Sequence, residues 1–295
     1  MNTSKKIVFF GTEDFSLHAL TGLVEAGYNV VAVVTKPDSL RGRHQTLTAP
    51  AVKEYALSRG IAVWQPTKLT AVTADIAELG DVAGVLVSYG KIIPQTVIDL
   101  FQPGIINVHP SFLPLYRGPA PIEAAIIHGD EQLGISIMQL TAGMDEGPVY
   151  GYTEIDLDGT ETQQSLLETV AREGTKTLLQ LLPGILDGSI TPLEQDDSKA
   201  TYTKLLGKDD SLLNAGQTTA VDAERKVRAH LTFPKTKTNI LGHDVIITKA
   251  HVSDTKNTPL DIECRDGAFL SIDELVAPSG KTMSAEAFLR GYAAA

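Results

Sequence analysis

Cysteine is nearly absent from this chain. Cys264 is the only one in 295 residues, which excludes an internal disulfide and a thiolate zinc site. Long apolar runs are missing too, and Met1 to Lys6 holds no signal-peptide core, so a cytoplasmic protein that crosses no membrane is expected. Excess positive charge is lacking: the formal net charge is −11, which argues against indiscriminate nucleic-acid binding. The deficit is uneven. Residues 1–200 carry 13 Lys and Arg against 24 Asp and Glu, whereas residues 201–295 carry 12 of each, leaving room for a basic face in the last third. There are no internal repeats and no low-complexity segments.

Glycine is scarce at one telling place. Lys6-Ile7-Val8-Phe9-Phe10 reads as a buried strand, a helical pattern runs from Phe15 to Val24, and Asn29 to Val34 reads as the next strand. This βαβ opening would suit a dinucleotide, yet its turn, Gly11-Thr12-Glu13-Asp14, offers one glycine where the fingerprint needs three. Thr35 to Ala49 follows as a polar loop with Lys36, Arg41, Arg43 and His44, and Asp38 its only acid. Further strands are expected at Ala62–Trp64, Val82–Ser88, Ile105–Val108, Gly134–Leu140 and Tyr150–Ile155, with helices over 50–59, 121–128 and 163–186. These elements predict an α/β domain over 1–190, a Rossmann-like and mostly parallel sheet. An acidic linker over 191–207 then leads to a C-terminal domain over 208–295. Short strands with Gly and Asn-Thr punctuation make that domain a small β-barrel, OB-like, after a helix over 221–231.

What is present in abundance is chemistry at one strand end. Ile105-Ile106-Asn107-Val108-His109 leads into a Pro/Gly-rich loop, and residues two apart on a strand share a face. Asn107 and His109 therefore converge at the carboxyl edge of the sheet, where open α/β folds bind ligands. The same letters also suit a turn-forming asparagine and a satisfied loop histidine. Asp145, inside Thr141-Ala142-Gly143-Met144-Asp145-Glu146-Gly147, can return to that edge, although an Asp beside Gly is commonly just a turn residue. If the three meet, the carboxylate favours the imidazolium and the amide donates without carrying charge. Two donors aimed at one point suit an oxygen that turns negative in a tetrahedral intermediate. No serine, cysteine or lysine nucleophile is evident, so the attack falls to a substrate amine on a formyl or acyl carbon, with Asp145 taking its proton.

Asn-x-His-Pro-Ser-Phe-Leu-Pro-x-Tyr-Arg-Gly at 107–118 with Asp145 downstream resembles the formyltransferases that use 10-formyltetrahydrofolate. Gly11-Thr12-x-Asp14-Phe15, Lys36-Pro37-Asp38 and Gly118-Pro119-Ala120-Pro121-Ile122, with the added C-terminal domain, are similar to the branch acting on methionyl-tRNA. The resemblance implies Asn107, His109 and Asp145 as catalytic residues. It implies a folate site along Ser88, Tyr89, Ile92, Ser111, Phe112, Leu113, Pro114, Thr141 and Gly143. It also implies contacts of Phe15, Arg41, Arg43, Arg225, Lys226 and Arg228 with methionyl initiator tRNA, by a monomer needing no metal. Departures are Phe112 for a usual leucine, Leu115 for a usual basic residue, no lysine in His44–Thr48 and no tryptophan turn near 231–237. A small amine acceptor, either a nucleotide-linked amino sugar or glycinamide ribonucleotide, and a non-catalytic folate- or RNA-binding relative are the alternatives.

Overall fold

The computed structural model describes residues 4–41 and 46–292. The chain forms two compact units. The first takes the chain up to Gly118, Leu133–Ile155 and Leu167–Tyr202. The second takes Pro119–Gln132, Asp156–Leu166 and the chain from Thr203 onward.

The first unit starts with β1 (Lys6–Gly11), α1 (Ser16–Glu25) and β2 (Asn29–Val34), then a small hairpin of β3 (Ser39–Arg41) and β4 (Thr46–Thr48). Next come α2 (Ala51–Ser58), β5 (Ala62–Trp64), α3 (Thr73–Glu78), β6 (Val82–Val87), α4 (Gln95–Ile98) and β7 (Ile105–His109). After α5 (Pro121–His128), which belongs to the second unit, follow β8 (Gln132–Gln139), β9 (Val149–Asp156) and α6 (Gln163–Asp187). Seven strands make one sheet in the order β5-β2-β1-β6-β7-β8-β9. Pairing is parallel from β5 through β7 and antiparallel between β7 and β8.

Continuous apolar runs explain the buried centre: every residue of β7 is buried, as are the last five of β1. Phe10 meets Tyr89 and Phe101 edge-on, with centroids 5.8 and 5.7 Å apart. Strand order reverses between β1 and β6, the switch point near which such sheets gather ligands. The β3–β4 hairpin corrects the expected plain loop over 35–49. Leu40 pairs with Leu47 and both are exposed, so no buried face imprints a strand pattern on the sequence. Arg43 lies outside the described residues.

The stretch expected to be a linker is packed along the first unit instead. Leu193 pairs with Val149 through two backbone bonds of 2.8 Å, and Thr201 exchanges bonds with Pro114 and Arg117. Two of its polar side chains, Gln195 and Asp197, serve a buried partner described below, while most of the rest are exposed.

The second unit continues with α7 (Ala220–Ala229), β10 (Thr236–Ile240), β11 (His243–Ser253), β12 (Ile262–Glu263), β13 (Phe269–Val276), β14 (Thr282–Ser284) and α8 (Ala285–Tyr292). Its strands form the antiparallel β domain, in the order β10-β11-β13-β12 with β14 beside β13. Val227, Ile247, Leu270, Leu275 and Phe288 lie in its core. β13 runs unbroken through Asp273-Glu274, whose carboxylates are bonded across the sheet by His251 and Thr248. Residues 119–132 and 156–166 join this unit through α7: Arg225 donates to the His128 carbonyl, and Arg228 to that of Glu161. Among the described residues no helix is long and apolar enough to cross a membrane.

Candidate active site

β7 carries Asn107 and His109 on one face, each 5% exposed. The Asn107 carboxamide makes no side-chain hydrogen bond among the described residues, and its polar atoms are not among the sealed, unpartnered ones, so at the strand end they stay open to solvent or a ligand. His109 is oriented by the loop that follows it. Its Nε2 lies 3.0 Å from the Tyr116 carbonyl oxygen, which can only accept, so the Nε2 proton is fixed by its partner. Nδ1 is thereby turned to Asp145, whose Oδ2 stands 3.8 Å away, close enough for charge attraction but too far for a hydrogen bond. Asp145 Oδ2 in turn accepts the Gly118 backbone N–H at 2.8 Å. The three residues expected to meet are thus in one place, at the carboxyl end of β7.

Two of the supporting backbones are unusual. Tyr116 and Asp145 have φ of 55° and 52°, the left-handed region that costs a non-glycine residue energy. Gly147 is required by close approach: a Cβ there would lie 1.9 Å from the Gln139 carbonyl oxygen. The loop 110–116 rests on β8 through Ser136, whose hydroxyl donates to the Ser111 carbonyl at 2.7 Å and accepts from Leu113 N at 3.2 Å. Phe112 lies over Gly134 and meets the Tyr152 ring edge-on at 5.5 Å.

The other expected ligand residues divide clearly. Thr141 has a buried hydroxyl with no partner among the described residues, and Gly143 is half-buried beside it. Ser88 sits at the end of β6 with φ 47°, its carbonyl accepting from Thr12 and Glu13. Phe112, Leu113 and Pro114 are half-buried in the loop. Ile92 is 88% exposed, and Phe15 is half-buried before α1.

Two expectations are corrected in part. The Ser111 hydroxyl is spent internally on the Leu115 carbonyl at 2.6 Å, and its side chain is fully buried. The Tyr89 ring points into the core, 1% exposed, where burial pushes its hydroxyl pKa up to about 12. Only backbone of these two residues remains for a ligand.

In the second unit, Arg225, Lys226 and Arg228 are half-buried rather than presented on a free face. Arg225 reaches the His128 carbonyl, Lys226 that of Leu212, and Arg228 bonds both Glu224 and the Glu161 carbonyl. Burial lowers the Lys226 pKa. Lys235 and Lys237, which follow α7 in the sequence, are exposed. Arg41 ends β3, where its backbone pairs with Thr46.

The sequence reading missed a cluster behind the triad. Arg117 is 1% exposed, and its guanidinium donates to Gln195 Oε1 at 3.0 and 2.8 Å, to Asp197 Oδ1 at 2.7 Å and to the Tyr202 hydroxyl at 3.1 Å. Burial acts to lower its pKa, but the bonds and charge from Asp197 and Tyr202 outweigh that and hold it above the usual value. An arginine in a Pro/Gly-rich loop was the available signal. Its partners, about 80 positions later, had none.

Two family models match the chain: the formyl transferase family over residues 5–182 and the formyl transferase C-terminal domain over 205–293. A methionyl-tRNA formyltransferase of Myxococcus xanthus is 35% identical over 300 residues, covering 97% of this chain and 95% of that protein. One from Chloroflexus aurantiacus is 36% identical over 300 residues, covering 97% and 96%. Among solved structures, an N-formyltransferase from Helicobacter canadensis in complex with folinic acid and dTDP-3-aminofucose superposes with a TM-score of 0.70 at 16% identity, covering 91% of this chain and 98% of that one. HypX from Aquifex aeolicus in complex with tetrahydrofolic acid superposes at 0.67 and 19% identity over 96% of this chain, which spans about half (46%) of HypX. These two likenesses show the fold. With the Asn107-His109-Asp145 cluster at its expected strand end, and both halves of the chain matched, this protein belongs to the formyl transferase family.

Proposed function

We propose that this chain transfers the formyl group of 10-formyltetrahydrofolate to the α-amino group of methionyl initiator tRNA. The observation that carries the chemistry is Asp145 Oδ2 at 3.8 Å from His109 Nδ1, with the unpartnered Asn107 carboxamide on the same strand face. The acceptor is supported by relatives more than one-third identical along nearly the whole chain and named for methionyl-tRNA.

When bound, the folate supplies the formyl carbon that the amine attacks. The donor set fits it: the free Asn107 amide and the buried, unpartnered Thr141 hydroxyl are polar groups that a heteroatom-rich ligand satisfies. Ser88, Ile92, the 112–114 loop, Thr141 and Gly143 would hold it. Asn107 donates an amide N–H to the formyl oxygen as that oxygen gains charge. His109 can add a second donor through one nitrogen only. Nε2 is committed to Tyr116, so only Nδ1, on the Asp145 side, is left to donate. Asp145, beside His109, is placed to receive the proton the ammonium sheds, and passing that proton to the folate nitrogen would let the bond from that nitrogen to the formyl carbon break and release the folate.

The test is formylation of methionyl initiator tRNA by the purified chain with 10-formyltetrahydrofolate, run beside a nucleotide-linked amino sugar. Formyl-methionyl-tRNA as the main product is expected, with the tRNA KM rising steeply with salt and the folate KM nearly flat. Formylation of the amino sugar alone would overturn the acceptor.

A further inference from the structure

Gln195 lies in a stretch whose composition suggested only a solvated linker, yet its side chain uses all of its hydrogen-bonding capacity. Oε1 accepts two guanidinium N–H groups from Arg117, at 3.0 and 2.8 Å. Nε2 donates to two backbone carbonyls in the catalytic turn, Asp145 at 2.8 Å and Gly147 at 2.7 Å. The direction of the amide follows from its partners, since a guanidinium can only donate and a carbonyl can only accept. Arg117 is itself anchored, 1% exposed and bonded to Asp197 and Tyr202.

The geometry points to Gln195 as a positioning residue for formyl transfer, clamping the Asp145 turn to the buried Arg117 so that the carboxylate faces His109. Asp145 needs such a clamp because its backbone is left-handed, a conformation that relaxes unless the surroundings hold it. The Asp145 side chain is tied to the backbone N–H of Gly118, the residue next to Arg117. The Arg117–Gln195 pair therefore holds both sides of the carboxylate: Arg117 through its neighbour in the chain, Gln195 through the turn's carbonyls. The Val149–Leu193 pairing fixes the direction from which Gln195 enters.

Gln195→Glu separates positioning from folding. A carboxylate at this place keeps Arg117 paired, and with a full charge, but has no N–H for the Asp145 and Gly147 carbonyls and repels them. The full-length variant should melt within a few degrees of the parent and retain its KM for 10-formyltetrahydrofolate within about twofold. Its kcat should fall on the order of 10²-fold, the scale of an ångström-sized misplacement of a reacting group. Gln195→Ala should show the same kcat loss with some loss of stability. The kinetic arm rests on the proposed formyl transfer, so a second arm does not: amide hydrogen exchange over 141–147 should quicken in Gln195→Glu, with β1 and β6 unchanged. A wild-type chain that formylates no amine would sink the functional reading, while exchange over 141–147 still decides the clamp. Parental kcat together with parental exchange in Gln195→Glu overturns the proposal.

Discussion

Replacing Asn107 by alanine separates catalysis from folding more cleanly than any other change at this site. The carboxamide has no protein partner among the described residues, so its removal strands no donor or acceptor. The stability cost is then limited to a few lost packing contacts, below about 1 kcal/mol. The loss in turnover is of another size. Removing one donor from an oxyanion site costs about 3–4 kcal/mol of transition-state stabilisation, or roughly 10²–10³ in kcat. Ser111→Ala, two residues past His109, supplies the opposite pattern. It breaks the 2.6 Å bond to the Leu115 carbonyl and leaves that oxygen unpaired, at about 1–3 kcal/mol of stability. Asn107→Asp should be worse than Asn107→Ala in turnover, because it sets a second carboxylate where negative charge has to grow. The assay is kcat for formyl-methionyl-tRNA at saturating folate, paired with urea unfolding of the same preparations. Asn107→Ala at a third or more of the parental kcat, or with a stability loss matching its activity loss, would refute the reasoning.

Tyr89→Phe deletes a buried hydroxyl that has no partner among the described residues, and should raise the unfolding midpoint by about 1 kcal/mol equivalent, with kcat unchanged. A drop in the midpoint would show that the hydroxyl is satisfied after all. His230 is 3% exposed, and burial, with the Lys226 charge adding to it and Asp210 opposing, pulls its pKa down to about 4. The unfolded chain therefore binds this proton first. Stability is complete above about pH 6.5 and is lost as pH falls toward 4, by up to about 3 kcal/mol. His230→Leu should flatten that slope in unfolding measured at pH 7, 5.5 and 4.5, and an unchanged slope would count against it. Gly134→Ala places a Cβ 2.6 Å from the Phe112 backbone nitrogen, so the loop carrying Tyr116 must shift. Its kcat should fall at least tenfold, and parental kcat would mean that the loop gives without disturbing His109.

Much of this was legible in the letters because two periodicities carried it. The apolar runs of β1, β6 and β7 are buried on both faces and read as a parallel sheet, and the two-residue spacing of Asn107 and His109 placed them together. The glycines around Asp145 announced a shaped turn. What stayed hidden has no local period. The β3–β4 hairpin buries neither face, so Leu40 and Leu47 look like loop residues. The inward turn of Tyr89 depends on Phe10, about 80 positions earlier. Arg225, Lys226 and Arg228 looked like a free basic face because carbonyl acceptors carry no signature in side-chain letters. Gln195 was invisible for the converse reason: a polar stretch that serves a buried arginine has the composition of one that serves water.

The strap from Leu193 to Tyr202 has a consequence for the order in which a ribosome delivers this protein. A nascent chain that has emerged only as far as the end of α6 already contains all three triad side chains, but neither Gln195 nor Tyr202 has left the tunnel. Domains tend to fold as they emerge. The first sheet can therefore close before Gln195 and Tyr202 reach the Arg117 guanidinium and before Gln195 ties the Asp145 turn. Competence then arrives late in translation, with a ten-residue segment that adds no strand to the main sheet.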